Sequence, residues 1–161
     1  MKTVNPKFLL LGEAPGYKGC RLSGLAFTSE RILSENAFFQ NEPVEFINAN
    51  RKLESEMAAT IVWGQIAQLE EKPLIWNIFP FHPHSVGDLE SNRTPTRAEL
   101  EEGRLFLELL LEIFEIKKII ALGRKSESQL EKIGLPFAYI RHPSNGGKEE
   151  FITGLNAELV S

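Results

Sequence analysis

Three polar residues stand at the ends of apolar runs, and each is of a type that does chemistry. Glu13 follows Phe8-Leu9-Leu10-Leu11, Asn77 interrupts Leu74–Phe79, and His142 follows Phe137–Ile140. A carboxylate inside the constriction Gly12-Glu13-Ala14-Pro15-Gly16 can hold or activate water, or it can simply be a solvated loop acid. A carboxamide within an apolar strand must find partners. It either satisfies neighbouring backbone or reads the edge of a base or amide, since it donates and accepts side by side. An imidazole fixed before proline and the run Ser144-Asn145-Gly146-Gly147 can stabilise developing negative charge, unless it is only a surface histidine. If the three strands are neighbours in one sheet, these groups converge on one crevice.

Other residues admit weaker readings. Phe27, on a glycine-containing loop, falls outside any helical period; it plugs the core beneath the loop or stacks on a planar ligand. His82 and His84 at i, i+2 match no ligand pattern, so no metal is expected. The opening glycines fit neither G-x-G-x-x-G nor G-x-x-x-x-G-K-[ST], and Ser144 lies in no nucleophile elbow. Cys20 is the only cysteine, which excludes an intramolecular disulfide and an all-cysteine cluster, and it reads as incidental rather than nucleophilic.

The elements that must position these residues follow from periodicity. Strands are expected at 7–12, 74–79, 117–122 and 137–140, the second of them central because it is continuously apolar. Helices are expected from Thr28 or Ser29 to Phe39, from Glu54 to Glu71 with Met57, Ala58, Ile61, Val62, Ile66 and Leu69 as the apolar stripe, and over 126–133 and 148–159. Another opens on the capping box Thr96-Arg97-Ala98-Glu99 and runs to Phe114. Residues 40–53 read as a connection, and Pro80–Pro95 as a long irregular loop of the kind that carries function. Strands alternating with helices predict an α/β fold, one mostly parallel four-stranded sheet with helices on both faces, and a single domain over 1–161.

The chain has 161 residues, 42% of them hydrophobic and 25% charged, which excludes a disordered polymer. No apolar run approaches the roughly 20 residues of a membrane span, and MKTVNPKF has no signal-peptide core, so a cytoplasmic location is expected. A net charge of −4 argues against a nonspecific polyanion binder, but the charges are segregated. Lys18, Arg21, Arg93, Arg97, Arg124, Lys125, Arg141 and Lys148 fall in strand-end loops or first helical turns, whereas the acids concentrate in helices. An edge that is basic on an acidic protein suits a phosphate backbone.

Taken together, Gly12-Glu13-Ala14-Pro15-Gly16 followed by Gly24-Leu25-Ala26-Phe27, then Asn77, then Asn92-Arg93-Thr94-Pro95 with Glu99, then Arg141-His142-Pro143-Ser144, resemble in order the motifs of the uracil-DNA glycosylase superfamily. The nearest likeness is to its GEAPG branch, without that branch's iron–sulfur cysteines. The resemblance implies a three-layer α/β/α sandwich, no cofactor, and cleavage of the N-glycosidic bond of a flipped-out uracil in single- or double-stranded DNA by a monomer. It assigns catalysis to Glu13 and His142, and base binding to Asn77, Phe27, Gly12 and Ala14. DNA contacts fall to Gly16, Arg93, Arg141, Ser144, Asn145 and Lys148. Two departures bear on substrate: Gly16 stands where uracil enzymes carry a methyl-excluding tyrosine, and the Asn145-Gly146-Gly147 loop lacks a bulky wedge. The same scaffold acting on hypoxanthine or xanthine, and a nucleic-acid-binding module without turnover, are the alternatives.

Overall fold

The computed structural model describes residues 5–40, 46 and 52–160. Four strands, β1 (Phe8–Gly12), β2 (Leu74–Asn77), β3 (Lys118–Leu122) and β4 (Ala138–Ile140), pair in parallel in the order β2-β1-β3-β4. The helices among the described residues are α1 (Cys20–Ser23), α2 (Glu30–Glu35), α3 (Met57–Ile66), α4 (Arg97–Ile113), α5 (Arg124–Ile133) and α6 (Lys148–Val160).

Alternation along the strands splits the core into two layers. Leu10, Ile120, Leu122 and Ile140 face Val62, Trp63 and Ile66 of α3 and Phe151 and Leu155 of α6. Leu9, Leu11, Ile119 and Ala121 face Leu107 and Leu110 of α4 and Leu130 of α5. The sheet is therefore covered on both sides, a three-layer α/β/α sandwich, and Leu9, Leu10 and Leu11 are fully buried. The connection from β1 to β2 crosses one face; those from β2 to β3 and β3 to β4 cross the other. Between β1 and β3 the outgoing chains thus diverge, which opens a crevice at the carboxyl ends of the strands.

Several elements differ from expectation. β2 is an edge strand, not a central one. Its continuous apolarity reports two covered faces, with Ile75 packed on one cluster and Leu74 and Trp76 on the other, rather than two neighbouring strands. α3 starts at Met57 instead of Glu54 because Glu54 is held extended: its N–H donates to Glu30 Oε2 at 3.0 Å and its carbonyl accepts from Arg31 N at 3.1 Å. Met57 is consequently 72% exposed and outside the apolar stripe. α3 ends at Ile66 and α2 at Glu35, each followed by turns. α1 is a single turn that no periodicity announces. Of the connection over 40–53, residues 41–45 and 47–51 lie outside the described residues.

α4 begins at the expected box, with Thr96 Oγ1 accepting from Glu99 N and Glu99 Oε2 accepting from Thr96 N at 2.7 Å. The loop before it is braced rather than loose. Arg93 forks onto Glu99 through two 2.7 Å bonds, and its Nε donates to the His84 carbonyl at 2.8 Å. No helix of the described residues is long and apolar enough to cross a membrane.

The loop carrying Phe27 hangs on Thr28, whose side chain is fully buried. Thr28 Oγ1 donates to the Ala26 carbonyl at 2.9 Å and accepts from Trp63 Nε1 at 3.0 Å, and Ser23 Oγ donates to the Thr28 carbonyl at 2.6 Å. Thr28→Val keeps the shape but strands the indole N–H; urea melts are expected to show a loss of about 1–3 kcal/mol, and an unchanged midpoint would contradict this bracing.

Candidate active site

The crevice between β1 and β3 holds a cavity of about 380 Å³. Glu13, Ala14 and Gly16 line it from the bend after β1, Phe27 from the next loop, Asn77 from β2, and His142, Ser144 and Asn145 from the turn after β4. Four segments far apart in sequence thus meet where the topology predicts a ligand site. Gly12 lies beneath, opposite Asn77 in the β1–β2 register. A Cβ on Gly12 would come within 2.5 Å of Asn77 Oδ1 and 2.6 Å of the Phe27 ring, so only glycine lets both side chains reach the end of β1.

Phe27 answers both of its readings. Its ring is buried in the core cluster and also walls the cavity, 5.9 Å from the His142 ring between centroids. Its backbone sits at φ +47°, a region that costs an L-residue about 1–2 kcal/mol. The Thr28 braces hold it there. Asn77 is 4% exposed, and its side chain's only hydrogen bond among the described residues is a long one from Nδ2 to Cys20 Sγ, 3.9 Å. Its carboxamide is not consumed by neighbouring backbone and is available to a ligand.

The His142 ring has a defined tautomer. The Ser144 backbone N–H, which can only donate, points at Nδ1 at 3.2 Å, and the Ser144 hydroxyl lies 2.7 Å from the same atom. Nδ1 is therefore the acceptor, and in the neutral ring Nε2 carries the proton. Burial, reinforced by Arg141, lowers the His142 pKa below the ordinary value and favours that neutral form. Gly123, at φ +87°, makes the room: a Cβ there would lie 2.9 Å from His142 Cβ.

Glu13 is held from outside its own bend. Lys125 Nζ, in the first turn of α5, lies 2.9 Å from Glu13 Oε2 and donates to Thr94 Oγ1 at 2.9 Å. One ammonium thereby ties the β1 bend and the long loop to α5. Sequence reasoning counted Lys125 only among the basic residues, because its contact spans 112 positions. A second omission is Glu56, a carboxyl group that also lines the cavity. Cys20 lines it too; burial first, then the nearby Glu56 charge, pushes its thiol up to about 12, so it is no nucleophile.

Three expected DNA residues lie off the cavity. Arg93 is engaged by Glu99 and the loop backbone. Arg141 is 3.8 Å from Glu150, and exposed Lys148 opens α6. The basic edge is also less positive than its residue types suggest. Lys18, Arg93, Arg97, Arg124, Lys125 and Arg141 each have a carboxylate within 4.0 Å. Most of these pairs are solvent-exposed and worth little, so a phosphate can compete for the cation. Among the described residues no group of three or more His, Cys, Asp or Glu could hold a metal ion; His82 and His84 merely stack, 5.5 Å between centroids.

No curated protein sequence matches the chain. Among solved structures it is similar in fold to the crystal structure of wild-type SMUG2 from Pedobacter heparinus, with a TM-score of 0.73 over 98% of this chain and 77% of that one at 19% identity. The Uracil DNA glycosylase superfamily matches residues 1–156. The chain therefore belongs to the uracil-DNA glycosylase superfamily, which makes it a hydrolytic DNA glycosylase.

Proposed function

We propose that the protein hydrolyses the N-glycosidic bond of uracil in DNA, releasing the base and leaving an abasic site. The observation that carries this reading is the convergence of Glu13, Asn77, His142 and the Phe27 ring on one cavity at the strand ends. In this reading the flipped base lies against Phe27, and its amide edge pairs with the Asn77 carboxamide. The C1′–N1 bond breaks, its electron pair passes into the base, and C1′ becomes an oxocarbenium ion. His142 donates a hydrogen bond from Nε2 to the base carbonyl oxygen that gains charge, and a neutral ring suffices for this. Water held by Glu13 adds to C1′, and its proton leaves to the carboxylate; the carboxylate charge also favours the cation before attack. Lys125 fixes the Glu13 oxygen that faces it and is a positioning residue.

The reading further assigns backbone contacts with DNA to Gly16, Ser144 and Asn145 at the mouth, and phosphate contacts to Arg141 and Lys148 at its margin. A water-activating carboxylate opposite a base-reading amide has no use in a module that only binds.

Labelled oligonucleotides bearing one uracil, incubated with the protein and treated with alkali, are expected to break at that position. Glu13→Ala and Asn77→Ala are each expected to slow breakage by about 10²–10⁴-fold. No breakage with the wild-type chain, or full activity in Glu13→Ala, would overturn the assignment.

The His142 account is open to imidazole NMR of the free protein. The ring should titrate below the usual histidine midpoint, and Arg141→Gln, which removes a positive neighbour, should move that midpoint upward. A ring already protonated at pH 7 would contradict the neutral-donor role.

A further inference from the structure

Glu56 is a carboxyl group on the cavity that the reaction above does not use. It is the residue before α3 and could cap that helix, yet it makes no capping hydrogen bond. Its carboxyl group turns instead into the cavity wall, where it has no hydrogen bond or ion pair among the described residues. Burial raises its pKa above the ordinary carboxylate value. A half-buried carboxyl group with no protein partner keeps only part of its hydration, which disfavours its charged form in the empty protein.

The surrounding chain is shaped to keep it there. Glu54, two residues earlier, is pinned by Glu30 and Arg31. Gly16 and Gly19 supply the space: a Cβ on Gly16 would lie 3.0 Å from Glu56 Oε1, and one on Gly19 would collide with Oε2. Any other residue at 19 would force the carboxyl group to shift from this position. Glu56 also raises the Cys20 thiol electrostatically, and Cys20 Sγ contacts Asn77 Nδ2. Asn77, Cys20 and Glu56 thus form one continuous wall.

We propose that Glu56 is a specificity-determining residue of the base pocket, its carboxylate accepting a hydrogen bond from an N–H or O–H donor on the flipped base. This rests on the glycosylase reading and adds to it a rule for selection. A base presenting a donor to this part of the wall is favoured; one presenting a carbonyl oxygen there faces a carboxylate and is rejected. The amide of Asn77 alone, able to donate and accept, does not impose that sign.

Single-turnover excision by the full chain from otherwise identical oligonucleotides bearing uracil, hypoxanthine or xanthine tests this with wild type, Glu56→Gln and Glu56→Ala. Both substitutions should change the ratio of rates between bases by roughly 10- to 100-fold, the size of a charge-assisted hydrogen bond. A uniform drop for all bases, or unchanged ratios, overturns the proposal. Calorimetric binding of the free bases separates it from the parent reading. If the wild-type chain excises nothing, the glycosylase reading fails; base-dependent affinities altered by Glu56→Gln still uphold Glu56, and affinities unaltered by it overturn it.

Thermal melts supply a readout outside activity. A raised carboxyl pKa means stability is fullest where the group is protonated and falls as pH rises through that value. The other titratable groups on this cavity are Cys20, the Glu13–Lys125 pair, His142 and Arg124, which is paired with Glu127. Glu56→Gln, which mimics the protonated form, should melt higher than wild type at pH 8, and the gap should close near pH 4. A lower melt at pH 8 would reveal a cation partner and overturn the proposal.

Discussion

The arrangement depends on a missing side chain at the end of β1. Gly12 closes one of the two inner strands of the sheet, and the space above its Cα is filled from two directions, by Asn77 Oδ1 and by the Phe27 ring. Hydrogen bonds from Ile78 N to the Gly12 carbonyl (2.9 Å) and from Phe79 N to the Glu13 carbonyl (3.0 Å) carry the β1–β2 pairing past the sheet and into the bend. Glu13 is therefore placed by backbone that is nearly an extension of the sheet. Functional groups on such rigid elements hold their geometry better than groups on free loops. The mobility that loops usually bring is removed in Phe27's loop by Thr28 and Trp63, and in the long loop by Arg93 and Glu99.

Charge is handled differently at the rim and in the pocket. Around the mouth, apart from the bidentate Arg93–Glu99 brace, the cations are paired with acids of the same or a neighbouring element, and these exposed pairs are weak. An acidic protein can then meet DNA by exchanging one anion for another, with little change in net charge until the polymer arrives. Inside, the groups are arranged by donor and acceptor rather than by charge balance. Nε2 of a neutral His142 donates, Asn77 does both, and Glu13 is steadied by Lys125. Protein stability is spent on Phe27's backbone, and partial burial disfavours the charged form of Glu56; both fall around the same cavity of about 380 Å³.

What the sequence revealed divides along a physical line. Features set by local pattern were readable: the strand–helix alternation, the α4 capping box, and the glycine at 134 ending α5 in the left-handed conformation. Glu13, Asn77 and His142 could be paired in thought because each marks the end of a strand, and parallel strands put those ends together. The position of β2 was misread because apolar faces and central pairing leave the same trace in sequence. Lys125 and Glu56 escaped notice since charged residues beside helices ordinarily face water, and only tertiary packing brings these two to the cavity. Gly16 and Gly19 were the available signal for Glu56: two glycines three apart beside a functional bend mark a place where something packs closely.

The most direct measurement is a crystal structure of the Glu13→Gln variant bound to a single-stranded oligonucleotide containing deoxyuridine. The account predicts the uracil ring against Phe27, its amide edge on the Asn77 carboxamide, Nε2 of His142 on a base carbonyl, and C1′ facing residue 13. Uracil bound elsewhere, or DNA crossing another face of the protein with this cavity vacant, would contradict it.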